Sequence, residues 1–99
     1  MMRLRINPLV AKDLKSIKDY IAEDNADKAL ETVQGIYHQF EKIQHFPYIG
    51  ADLSKRVSFK TDYKYVVWQD YVVLYKVVKE AVEIYRVVNR YQDITKVFG

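Results

Sequence analysis

Apolar residues recur with two different periods along this chain, and the change of period falls near residue 50. Met2, Leu4 and Ile6 alternate with Arg3 and Arg5, which predicts a short strand with one apolar and one basic face. Asn7-Pro8 ends that strand and opens a helix, since Asn caps free N–H groups and Pro suits the first helical position. The helix carries Val10, Leu14, Ile17 and Ile21 at spacings of four, three and four, with Lys12, Lys15 and Lys18 on its other faces. Glu23-Asp24-Asn25 interrupts the pattern. A longer second helix follows on Ala26, Ala29, Leu30, Val33, Tyr37, Phe40 and Ile43 until Phe46-Pro47 stops it. The two helices make a hairpin whose apolar stripes suit burial against a sheet.

Beyond the turn Pro47-Tyr48-Ile49-Gly50 the period drops to two. Val57 and Phe59 alternate with Arg56, Ser58 and Lys60, which predicts a strand, and Thr61-Asp62 predicts a two-residue turn. Tyr63 to Trp68 is the next strand, Gln69-Asp70 turns again, Tyr71 to Val78 follows, and after Lys79-Glu80 the last strand runs from Val82 to Val88. The near-continuous apolar run of Tyr71 to Val78 marks it as a central strand. The tail from Asp93 to Gly99 reads as a short helix capped by Asp93, returning Ile94, Val97 and Phe98 to the core. The fold class is therefore α+β in two layers: an N-terminal strand, a helical hairpin, and a four-stranded antiparallel meander with a short C-terminal helix or tail.

At 99 residues the chain is expected to form a single domain, 1–99, of modest stability, because a domain this small buries only about 60–65% of its unfolded surface. There is no cysteine, so disulfides and thiolate metal sites are excluded. The sequence has neither an apolar run of signal-peptide length at Met1-Met2-Arg3-Leu4-Arg5 nor a membrane-spanning one, which gives the expectation of a cytoplasmic protein without a membrane partner. The net charge of +3 is unevenly placed. Residues 1–53 hold seven Lys/Arg against eight Asp/Glu, whereas residues 54–99 hold nine against five, so the positive potential belongs to the second half. Six of the nine tyrosines lie there too, an interleaving of cations and aromatics found on nucleic-acid-binding sheets, although tyrosine also favours strands for its own sake.

Most catalytic chemistries are absent. His38 and His45 are seven residues apart on the second helix, about 10 Å along its axis, too far to share a metal. No zinc-helix motif, phosphate-binding glycine loop or serine with a nearby histidine occurs, so no metal or other cofactor is expected. The chemistry-bearing set is cationic: Lys55, Arg56, Lys60, Lys64, Arg86 and Arg90, with Tyr91 beside the last. Arg86 has the parity of Val82, Ile84 and Val88, which puts a charge in an apolar row. An unpaired charge there costs several kcal/mol, so Arg86 requires an anion. Either an internal carboxylate such as Asp93 or Glu83, or a bound phosphate, would meet the need.

Several segments together resemble the RelE/ParE family of type II toxins. Ile6-Asn7-Pro8 through Ala11-Lys12-Asp13-Leu14 and Ile17-Lys18-Asp19-Tyr20-Ile21-Ala22 is similar to the family's first helix. Phe46-Pro47-Tyr48-Ile49-Gly50 resembles its phenylalanine-proline-x-x-glycine turn. Tyr63-Lys64 and Tyr71-Val72-Val73-Leu74-Tyr75-Lys76-Val77 resemble its tyrosine-rich strands, and Arg86-Val87-Val88 through Asp93-Ile94 its final strand and exit. Three positions depart from the family pattern: Asn89 stands where many members have histidine, Gln92 where an arginine often precedes the aspartate, and Lys64 where the strand carries arginine. Lysine does not reproduce arginine's bidentate grip on phosphate.

The resemblance implies a growth-inhibiting toxin masked by a cognate antitoxin in a hetero-oligomer. RelE-like members cleave mRNA on the ribosome using the RNA's own 2′-hydroxyl, which calls for a base, an acid and cations around the phosphate. On that reading Lys64, Arg86, Arg90 and Tyr91 are the catalytic candidates, and Lys55, Arg56 and Lys60 bind nucleic acid. The base among them would need a lowered pKa. ParE-like members bind DNA gyrase and break no bond themselves; the long helical hairpin and the Phe46–Gly50 turn are closer to that branch. Ribosome-dependent mRNA cleavage is placed first, gyrase inhibition second, and a degenerate non-toxic binding module third.

Overall fold

The apolar stripes of the helices meet the apolar rows of the strands in a computed structural model that describes residues 2–98. Strand β1 (Arg3–Ile6) leads into α1 (Pro8–Ala22) and α2 (Ala26–His45). After them come β2 (Ala51–Asp52), a 3-10 turn (Leu53–Lys55), β3 (Lys64–Trp68), β4 (Tyr71–Val78), β5 (Ala81–Asn89) and a closing 3-10 segment (Ile94–Phe98). The helix starts are set as their sequences require. The Asn7 side chain accepts from Leu9 N–H at 2.9 Å with Pro8 next to it, and Asn25 accepts from Lys28 N–H at 3.0 Å.

The five strands form one mixed sheet in the order β1-β5-β4-β3-β2. The meander β3–β4–β5 is antiparallel with two-residue connections at Gln69-Asp70 and Lys79-Glu80, as expected. Gln69 and Glu80 carry the left-handed backbone these tight turns demand, at φ 53° and 61°. The first strand returns to lie parallel to the last, Arg3 beside Ala81 and Ile6 beside Ile84, so the chain's opening and closing strands are neighbours.

Both helices cover one face. Val10, Leu14, Ile36, Phe40 and Ile43 pack there against Val73, Tyr75, Val82, Ile84 and Val87. Trp68 also reaches this layer, and it does so through Gly35: a Cβ at that position would stand 2.2 Å from the indole ring. The opposite face buries Leu53, Val72, Leu74 and Val88 under the loop after β2 and the C-terminal 3-10 segment. Ile94, Val97 and Phe98 pack on it as the sequence implied. Gly99, the end of the expected tail, lies outside the described residues.

Two expectations need correcting. Val57 and Phe59 are not in a strand, and Thr61-Asp62 is not a hairpin turn. Ala51–Asp52 takes the place beside β3, and the Leu53 N–H donates to Tyr63 O, which swings the intervening chain over the second face. There Phe59 packs edge-on against Phe98, ring centres 5.8 Å apart, so its apolar side chain is satisfied by packing and not by a ladder. The second correction concerns parity. The β4–β5 register shifts at Leu74/Tyr75, leaving Tyr85 as an extra residue, so Val87 and not Arg86 continues the helix-facing row.

Candidate functional site

Strand β1 runs beside β5 only as far as Ile84, and beyond that point β5 has an open flank against α1. Asp13 fills it. Its carboxylate accepts from Arg86 Nε and Nη2, both at 2.8 Å, and from the backbone N–H of Val87 at 3.0 Å. The anion that Arg86 required is therefore Asp13, neither Asp93 nor Glu83. The Asp13 side chain is 10% exposed and that of Arg86 23%. The bidentate geometry holds the guanidinium charged, and the hydrogen bonding to Asp13 raises its pKa further against the opposing effect of burial.

A groove of about 330 Å³ lies beside this pair, between α1 and the end of β5. Tyr20, Tyr71, Arg86, Asn89 and Gln92 contribute to its lining, with Ser16 on the helix side. Two of the three positions that depart from the family pattern, Asn89 and Gln92, thus share one groove. Tyr20 stands largely in solvent at 76% exposure, and Tyr91, two residues past Asn89, at 78%. Asn89 accepts from the Tyr91 N–H at 2.9 Å and so shapes the turn that presents Arg90 and Tyr91. The Arg90 guanidinium sits 5.7 Å from the Tyr91 ring centre and donates to Gln69 O.

The other candidates are elsewhere. Lys64 pairs with Asp52 at 2.7 Å and lies over the Tyr48 ring. In the ladder Lys64 faces Tyr75, four rungs from the Tyr71–Asn89 pair, which is about 13 Å along the strands. Arg56 donates to the Tyr65 hydroxyl at 3.2 Å and stacks on its ring. Lys55 ends the 3-10 turn, and Lys60 is exposed in the loop before β3. Arg90 and Tyr91 are adjacent, and Arg86 shares its groove with Asn89 and Gln92, which flank them in the chain. Lys64 shares the helix-facing side of β3 with Val66 and Trp68, whereas Arg56 lies with Tyr65 on the opposite face and Lys55 and Lys60 are in the segment between β2 and β3, so the set is not assembled in one place.

Three tyrosine pKa values move, and all move up. Burial is the leading cause for Tyr63, Tyr71 and Tyr75; Tyr85 and Glu83 add to it at Tyr63, and Asp70 and Tyr20 at Tyr71. That direction is opposite to what a general base requires. Tyr75 has a structural task instead. Its hydroxyl accepts from Gly50 N–H at 2.9 Å and donates to Pro47 O at 2.8 Å, tying the Phe46–Gly50 turn to the core. A Cβ at Gly50 would meet that hydroxyl at 2.6 Å.

Asp13, Tyr20 and Tyr71 were not among the sequence candidates. The signal for Asp13 was present, since it is an acid at the i+3 position from Val10 and i−4 from Ile17, within the sheet-facing stripe.

A family profile described as the ParE toxin of the type II toxin–antitoxin system, parDE, matches residues 4–94. The chain belongs to the ParE toxin family. No curated protein matches it significantly. A solved structure described as a chromosomal ParDE TA system from P. aeruginosa is similar at 25% identity and a TM-score of 0.75, over 90% of this chain and 96% of that one. Membership of the ParE family makes this a toxin of the type II class, with a cognate antitoxin as its partner. Among the described residues no helix is long and apolar enough to cross a membrane.

Proposed function

We propose that this toxin inhibits growth by binding DNA gyrase, in the ParE manner, and not by cutting mRNA. The observation that carries this reading is the commitment of its cations. Arg86 is held by Asp13 and Lys64 by Asp52, so two of the four candidates for phosphate chemistry already have internal anions. The three tyrosines with displaced pKa values have moved away from acting as a base. What remains exposed at the α1–β5 end is Tyr20, Arg90 and Tyr91, residue types that dominate protein–protein contacts. Gyrase as the target comes from the resemblance to the ParE branch.

Expression in bacteria with parallel mapping of mRNA ends and plasmid supercoiling tests the proposal. DNA breaks and loss of supercoiling without new mRNA ends are expected. New cuts within translated codons would reverse the order of the two mechanisms, and unimpaired growth at full expression would sink both. Replacing the ion pair with neutral groups in the double variant Asp13→Asn, Arg86→Gln sharpens the result. Toxicity should persist wherever the variant is folded, whereas a catalytic Arg86 would lose it.

A further inference from the structure

The sheet's outer edge at β3 is only half covered. Strand β2 pairs with Tyr65 and Lys64 and goes no further, because the Phe46–Gly50 turn before it is tied to the Tyr75 hydroxyl. Among the described residues no strand lies outside Val66, Val67 and Trp68. Backbone groups alternate along a strand, and the bond from Leu53 N–H to Tyr63 O sets the outward ones at Tyr63, Tyr65 and Val67. The Val67 N–H and C=O therefore face outward with no partner among the described residues. Val67 is 45% exposed. No charge, proline or bulge guards these three residues, whereas the opposite edge strand, β1, carries Arg3 and Arg5.

Behind the open edge, α2 and β3 enclose a groove of about 290 Å³, with Gln39 and Lys42 on the helix side and Ile49, Val66 and Val67 on the other. Gln39 is only 8% exposed, and its amide has no hydrogen-bond partner among the described residues. No side-chain polar atom among them is both sealed from solvent and unpaired, so the amide opens into the groove. It offers donors and an acceptor to whatever closes that groove. A smaller hollow at the other end of the same seam has Lys28, Glu31 and Trp68 in its walls. Neither Glu31 nor Lys42 enters any of the three ion pairs among the described residues.

These two charges stand symmetrically about Val67. Trp68 lies against Gly35, and Val66 shares its groove with Gln39, so Val67 is level with the middle of α2, near Tyr37. At 1.5 Å per helical residue, Glu31 is about 9 Å to one side of that level and Lys42 about 8 Å to the other. A two-fold axis through the edge at Val67 brings Glu31 of one copy level with Lys42 of the other, and does so twice. From this symmetry we infer that the β3 edge joins two copies of this chain. In the pair the two Val67 residues exchange backbone hydrogen bonds, the second copy closes the groove over the Gln39 amide, and each Glu31 meets Lys42 of the second copy. The contact is isologous, the same surface serving on both sides. It adds a self-contact to the partnership with the antitoxin, and it holds whichever target the toxin acts on.

Analytical ultracentrifugation of the purified toxin tests the inference, with the Val67 amide followed by hydrogen exchange. A monomer–dimer equilibrium is expected at concentrations up to about 100 μM, with Val67 exchange slowing as the dimer forms. Glu31→Lys and Lys42→Glu should each weaken the dimer by about tenfold or more, with an effect that shrinks at high salt, because each places like charges together at both contacts. Both positions are exposed, so the circular dichroism of the variants should match that of the unaltered chain. Combining the two reversals restores opposite charges, and the double variant should dimerise as the unaltered chain does. A toxin that stays monomeric at about 100 μM overturns the inference. So does a dimer that neither reversal weakens, or one that the double variant fails to recover. Protection of Val67 only in the antitoxin complex, with the free toxin monomeric, assigns the edge to that partner and overturns it equally.

Discussion

On the helix side of the sheet, Phe40, Ile36 and Ile43 from one long helix fill the space above Val73, Tyr75 and Ile84, all essentially free of solvent. On the other side Leu53, Val72, Leu74 and Val88 are covered by two irregular segments and by aromatic packing. Tyr63, Tyr85 and Phe98 have ring centres 5.0 to 5.4 Å apart, and the Tyr85 hydroxyl donates to Val97 O. The difference lies in what does the covering. A helix satisfies its own backbone and brings a rigid apolar stripe, whereas the loop and 3-10 tail have few internal hydrogen bonds and depend on the rings they carry. The stability of the domain should therefore reside mainly in the helix-facing layer, with the second face easier to open.

Substitutions that separate the two layers rank as follows. Phe40→Ala should cost about 3–5 kcal/mol, measured by urea denaturation, because the cavity it leaves is walled by helix and sheet. Asp13→Ala should come next, at about 2–4 kcal/mol, since it orphans the Arg86 guanidinium and the Val87 N–H together. Exchange of the Val87 amide should quicken in that variant. Phe98→Ala should cost only about 1–2 kcal/mol and raise exchange in the second face without touching the helices. If it destabilised the protein as much as Phe40→Ala, the two faces would not differ in the way described.

The smallest effect concerns pH. The Lys64 hydrogen bond and charge lower the pKa of Asp52, and hydrogen bonds from Thr95 lower that of Asp93. A carboxyl whose folded pKa lies below its unfolded value stabilises above the unfolded value, and that contribution is lost as pH falls through the folded one. The urea midpoint should thus decline in the acid range below the ordinary aspartate pKa. Lys64→Gln should shallow that decline slightly, with little change near neutrality, as both carboxylates are in solvent.

Much of this architecture could be read from residue spacing alone. The helix starts at Asn7 and Asn25, the stop at Phe46-Pro47, and the turns at Gln69-Asp70 and Lys79-Glu80 all follow from local chemistry, and the structure has them there. Tertiary effects hid the rest. Val57 and Phe59 alternate like a strand, yet what they alternate against is a tail forty residues further on. The extra residue at Tyr85 breaks the two-residue period, and nothing in the composition of Ile84-Tyr85-Arg86 announces it. Arg86 was visible as a charge in need of an anion, whereas Asp13, an acid within an apolar helix stripe, was not singled out. Only the fold shows that the two anomalies answer one another, and that the cations grouped by sequence divide between the two sides of the sheet.

The Asp13 carboxylate serves as a one-residue substitute for a missing strand, and the positions it joins are 73 apart in the chain. With β1 also waiting for β5, the first half of the protein has neither its sheet neighbour nor its counter-charge until the last strand has been synthesised. Such non-local closure slows folding. The helical hairpin is therefore seated on its sheet only once β5 has been made, so assembly of the domain is gated by the end of the chain and not by its beginning.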